Sequence, residues 1–186
     1  MALNIKIDFG NKYELSYITE DLKFGVFESK LFDGTSMRLG IKISSDTHPL
    51  IPDVYNLAFG PLDTDFQIND WQKIRHQDHS RVFSTIVFAA LSFLDTNKGK
   101  FIGIDGSDTT RAYMYYRCIL SNLEHLGSIF DIFGVNYYVR VLRNGIEDIS
   151  DIVALPRQIL PGQIIPSSQL YNYFIFTVKS AAKTNS

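Results

Sequence analysis

The chain has one cysteine, one tryptophan, three methionines and six prolines among its 186 residues. With Cys118 alone there is neither an internal disulfide nor a thiolate cage for zinc, and a lone thiol fits a reducing compartment. Set among apolar residues in a helical pattern, Cys118 reads as a buried structural thiol and not as a nucleophile. Long apolar runs are missing too. The longest, residues 82–94, is interrupted by Ser84, Thr85 and Ser92 and falls short of the roughly 20 residues a bilayer requires, so no membrane segment is expected. The first ten residues carry Lys6 and Asp8 among single apolar side chains, which is not the pattern of a signal peptide. A cytoplasmic location is the expectation. Nor is either charge sign in excess: 18 basic residues against 20 acidic ones leave a net charge of -2. Nucleic acid is therefore not favoured as a partner by overall charge, although a local basic patch stays open.

What the chain does have is apolar and aromatic mass, 45% hydrophobic residues with 14 Phe and 10 Tyr. That excludes disordered, collagen-like and coiled-coil classes. A chain of this length buries about 70% of its unfolded surface around one core. In residues 1–60, short β-branched and aromatic runs predict strands at Asn4 to Phe9, Tyr13 to Ile18, Phe24 to Glu28, Met37 to Ser44 and Val54 to Phe59. Turn residues about every ten positions make an antiparallel meander of them. Apolar residues then recur at three- and four-residue steps from Val82 to Leu94, with Asp78 or Ser80 available as a cap, which predicts a largely buried helix. Lys100 to Ile104 reads as a short strand, and Thr109 to Leu126 as a second helix. Ile129 to Phe133, Asn136 to Leu142 and Leu170 to Lys179 read as further strands, with a turn at Asn144-Gly145. Pro156, Pro161, Gly162 and Pro166 make 146–168 a surface excursion. The expectation is a single α+β domain over residues 1–180, a mostly antiparallel sheet with two central helices packed on one face, followed by a frayed tail at 181–186.

Two stretches could carry chemistry. At the predicted strand-to-helix junction, Gly106 would let a ligand approach the backbone. Ser107, Thr109 and Thr110 would add hydroxyls to the helix N-terminus, and Arg111 and Tyr115 would share a helix face above it. This is a geometry for a phosphate or carboxylate. Asp105 and Asp108 oppose it, and a plain N-cap explains the same residues. The second stretch holds His76, Asp78, His79 and Arg81, which suit acid–base chemistry but lack a third metal ligand at a recognised spacing; a capping loop is the competing reading. No metal and no cofactor is expected. His48 and His125 read as structural. Tyr113, Tyr115 and Tyr116 beside Arg111 and Arg117 suggest base stacking, yet helical geometry keeps the five from reaching one ligand. Asn56 is expected to be a buried amide in an interior strand, with Leu57 and Phe59 on the opposite face.

Several of these motifs together resemble a family. Tyr55-Asn56-Leu57-Ala58-Phe59-Gly60, then Asp70 and Asp78 before a helix, then Gly106-Ser107 with Arg111 and Tyr115, and finally Tyr173-Phe174 are similar to a family of short bacterial proteins classed as a domain of unknown function. The likeness runs over residues 54–143 and the last strand. Arg75-His76-Gln77 stands where the family has Asn-Asn-Gly, and Tyr113 stands where a second arginine is usual. The resemblance implies no activity; accessory roles such as toxin–antitoxin pairs or phage defence are its associations. The leading expectation is a non-catalytic binding module for a protein partner or a phosphate-bearing ligand. The alternative is a metal-independent ribonuclease or phosphotransfer-type enzyme using Arg111, Tyr115, His76 and His79.

Overall fold

The computed structural model describes residues 4–69, 72, 74–106, 109–135, 140–141, 147–148, 156–162 and 171–179. Its first strands form the expected meander: β1 (Leu15–Ile18), β2 (Phe24–Lys30), β3 (Ser36–Thr47) and β4 (Val54–Pro61), each antiparallel to the next. Helix α1 (His79–Thr96) then crosses to β5 (Phe101–Asp105), which pairs parallel with β4. The chain continues through α2 (Thr109–Ser121) and α3 (Leu123–Ile129) into β6 (Phe130–Val135). A two-stranded pair follows, β7 (Arg140–Val141) with β8 (Glu147–Asp148), then β9 (Arg157–Gln158) and β10 (Tyr173–Val178). The main sheet has the order β1-β2-β3-β4-β5-β10-β6-β9. The fold is α+β, as expected, with β4 and β5 as its parallel pair.

Both crossovers advance the same way across the sheet, from β4 to β5 and from β5 past β10 to β6. The right-handed rule for such units places their helices on one face. The main core agrees: Phe27, Leu39, Ile41 and Leu57 from the strands pack with Val82, Ile86, Phe93, Ile119 and Leu126 from the helices. The opposite face carries a smaller cluster, Val54, Val135, Tyr173 and Ile175. Asp78 caps α1 by accepting a hydrogen bond from the Arg81 backbone N–H at 2.9 Å, and Asn97 with Gly99 at φ +81 ends it, because only glycine turns through that region without cost. Among the described residues no helix is long and apolar enough to cross a membrane.

Three expectations are corrected. Residues 4–9 form no strand, although Ile5 and Ile7 alternate inward. The N–H groups of Lys6, Ile7 and Asp8 donate instead to Ser80 Oγ (3.0 Å), Asn122 Oδ1 (2.7 Å) and Ser84 Oγ (2.9 Å), so side chains satisfy a backbone that a neighbouring strand would otherwise pair. The second helix is broken at Asn122. Its buried amide is spent on that strap, accepting from Ile7 N–H and donating Nδ2 to the carbonyls of Ile5 and Cys118. The excursion is not wholly irregular, since β9 pairs with β6 and Ile159 is buried. The remaining readings within 136–139, 142–146, 149–155, 163–170 and 180–186 lie outside the described residues.

Candidate functional site

The loop before α1 returns along the end of β2. Leu31 and His76 form a lone antiparallel bridge, Phe32 N–H donates to Arg75 O at 3.0 Å, and Gln77 N–H donates to Lys30 O at 2.9 Å. This register turns His76 inward, where its Nδ1 lies 2.9 Å from the hydroxyl of the fully buried Ser29. The His76 and His79 rings meet edge to face with centroids 5.4 Å apart. Burial, with a smaller contribution from the neighbouring His79, pushes the His76 pKa down to about 4. Burial also lowers His79, with Asp78 partly opposing the shift. Both imidazoles are therefore neutral at pH 7. Their contacts are Ser29, Asp78 and each other, so the remaining ring nitrogens have no hydrogen-bond partner among the described residues. Arg81 lays its guanidinium over the Tyr13 ring at 4.2 Å, and its Nε is buried with no hydrogen-bond partner among the described residues. Asp78 does cap the helix, as the capping reading expected, while the basic side chains around it keep open nitrogens. Among the described residues no three His, Cys, Asp or Glu side chains group as metal ligands.

At the start of α2, Gly106 serves a different purpose from the one expected. A Cβ there would meet the Ala112 backbone at 2.5 Å, and its N–H donates to Asn172 O at 2.9 Å. The glycine lets α2 close onto β5, so the space beside it holds the protein's own helix and not a ligand. Thr110 is exposed and Arg111 is half-buried and engaged. Tyr115 packs with Phe59 (6.1 Å between centroids) and Phe83 (6.3 Å). Ser107, Asp108 and the Thr109 side chain lie outside the described residues. Of the other helix tyrosines, Tyr116 is buried and Tyr113 exposed, so the helical argument against one stacking platform agrees with their placement.

The topology sets these two stretches along one margin. β2 and β4 are both antiparallel to β3, and β5 is parallel to β4, so all three end at the same edge. Helix α1 begins there after β4, and α2 begins there after β5. Phe83, one turn beyond His79, touches Phe59 and Tyr115 and so joins the two stretches through aromatic packing. The carboxyl edge of parallel strands is the usual ligand side of such sheets.

A third group escaped sequence reasoning. On the face opposite the helices, Tyr173 lies across Gly103 and donates its hydroxyl to Asn56 Oδ1 in a short hydrogen bond. The His48 ring lies 5.3 Å from that of Tyr173, and its Nδ1 accepts from the Leu50 N–H at 3.1 Å. Burial lowers the His48 pKa and the Asp105 charge raises it in part. Asn56 is exposed, contrary to expectation, because its side chain points to the face the helices leave open. Tyr173 comes from more than 100 positions beyond His48 and Asn56, so no local pattern joins them. Asn56 and Tyr173 belong to the family-like motifs, and the sequence reads His48 as structural.

The chain belongs to a family of unknown function (DUF6934), whose model matches residues 10–147. This is the kind of family that the ordered motifs indicated. No curated protein and no solved structure matches the chain.

Proposed function

We propose that this member of the family is a non-catalytic binding module that takes a phosphate-bearing ligand at the carboxyl edge of its sheet. The observation that carries the reading is the first turn of α1 and the loop before it, where a buried Arg81 Nε and the ring nitrogens of two imidazoles have no hydrogen-bond partner among the described residues, His76 Nδ1 on Ser29 excepted. A buried donor left unpaired costs about 1–3 kcal/mol, and an anion that accepts from it recovers that cost. A neutral imidazole carries one N–H donor, which His79 spends on no described residue, and Asp78 is held in its cap, where Oδ1 accepts from Arg81 N–H. Thr110 and Arg111 at the start of α2 lie along the same edge, and Tyr115 packs between the two stretches through Phe59 and Phe83. A toxin–antitoxin or phage-defence setting, bacterial and cytoplasmic, suits such a module and would supply a protein partner as well.

A second reading follows from the imidazole pair alone. Two neutral rings in contact can divide acid and base roles, as a metal-independent ribonuclease or phosphotransfer enzyme requires.

Calorimetric titration with inorganic phosphate and nucleoside mono- and triphosphates tests the reading. Saturable binding is expected, with Arg81→Ala and His79→Ala each weakening it by roughly 10- to 150-fold, the range that charge-assisted hydrogen bonds provide, at unchanged helix content. Binding indifferent to both substitutions would count against it, and product formed from RNA would favour the enzyme.

A further inference from the structure

We infer that the phosphate-bearing ligand is a single-stranded nucleic acid, held along the ribbon formed by the end of β2, the start of β3 and residues 75–77. The inference rests on the reading above in taking phosphate as the recognised group, and it stands on a separate surface. Phe32, at the β2–β3 turn, is 78% exposed, the most exposed large hydrophobic side chain among the described residues. Its backbone bonds to Arg75, as that of Lys30 does to Gln77, while Lys30 pairs in register with Ser36 and Glu28 with Arg38. The backbone thus brings the Arg75, Lys30 and Arg38 positions to the same end of the β2–β3 ribbon as Phe32. All three are exposed, and none forms an ion pair among the described residues.

An open aromatic ring flanked by unpaired cations is what binding of single strands requires. Bases stack on the ring whatever their sequence, and the cations follow the backbone. The carboxylates nearby are partly committed. Asp33 Oδ1 accepts from the Thr35 N–H and hydroxyl within its own turn, and Asp78 Oδ1 accepts from Arg81 N–H. Glu28 stands across from Arg38 and Asp33 keeps its charge in the turn, leaving three cations against two carboxylates around this end of the ribbon. The near-neutral chain as a whole is no obstacle, because a local patch suffices for short strands. Duplexes fit poorly, since their bases are already stacked inside.

Fluorescence anisotropy with labelled 12-nucleotide single-stranded RNA and DNA, and a duplex of the same sequence, tests this. The single strands should bind and the duplex should bind more weakly. The affinity should fall with salt with a log–log slope of about -2, as three neutralised phosphates on a single strand give. Phe32→Ala should weaken binding roughly 5- to 150-fold, the range of one lost base stack, and Arg75→Gln should reduce the slope by about 0.7. These side chains are exposed and make no core contacts, so folding is not at stake. If inorganic phosphate binds at His79 while no oligonucleotide does, the nucleic-acid inference falls and the phosphate reading survives. If neither binds, both fall. Oligonucleotide binding indifferent to Phe32→Ala, or equal binding of a poly-glutamate peptide, would assign the surface to an acidic protein and overturn the inference.

Discussion

His76 is the residue at which packing and chemistry oppose each other most directly. Its ring is tied to a fully buried serine and set against a second imidazole, so the charged form is penalised in the folded state. Its pKa falls from 6.5 to about 4. A depressed histidine binds fewer protons when folded than when unfolded, so its contribution is fully present above pH 6.5. That contribution is lost as pH falls from there to about 4. The melting temperature should therefore drop over this window, and His76→Asn should flatten the drop. A pH profile identical in the variant would show that the ring is not held neutral. At this scale the sequence was informative about type and not about orientation. Asp78 could be read as a cap from its position before the apolar periodicity. That Asn56 faces the open side, or that Gly106 accommodates Ala112, depends on strands and helices brought together from afar, which no local pattern encodes.

Among the elements, α1 was the most legible, because its buried positions repeat at helical spacing and both ends carry recognisable stops. The N-terminal strap was misread for an equally physical reason. Its period-two burial is that of a strand, but its hydrogen-bond partners are hydroxyls and an amide spread over two helices. Asn122 holds that arrangement together and interrupts the helix in doing so. Asn122→Ala should lower stability by about 2–3 kcal/mol, since it leaves Ile7 N–H and the Ile5 carbonyl buried without partners. Amide hydrogen exchange should show residues 5–8 losing protection before the sheet does. Protection lost uniformly, or not at all, would mean the strap is held by burial of Ile5 and Ile7 alone.

For the whole molecule, the main lesson lies in β10. A closing strand was legible from its alternating aromatic and aliphatic residues, yet its insertion between β5 and β6, which makes those two parallel neighbours once removed, is a non-local fact. The same holds for the functional margin. His76 and Arg111 were each legible as candidates, but only the common direction of β2, β4 and β5 sets them along one edge. Phosphate is proposed to enter at this edge through the nitrogens at the start of α1. The most direct measurement is an NMR titration at pH 7.5 that follows the imidazole resonances of His76 and His79 and the Nε–H of Arg81 as inorganic phosphate is added. Saturable shifts of His79 and of the Arg81 Nε–H are expected, the His79 shift vanishing in Arg81→Ala, with the resonance of His125, which packs on Phe9, unmoved. Resonances that stay in place at the start of α1, or shifts no larger there than at His125, would contradict it.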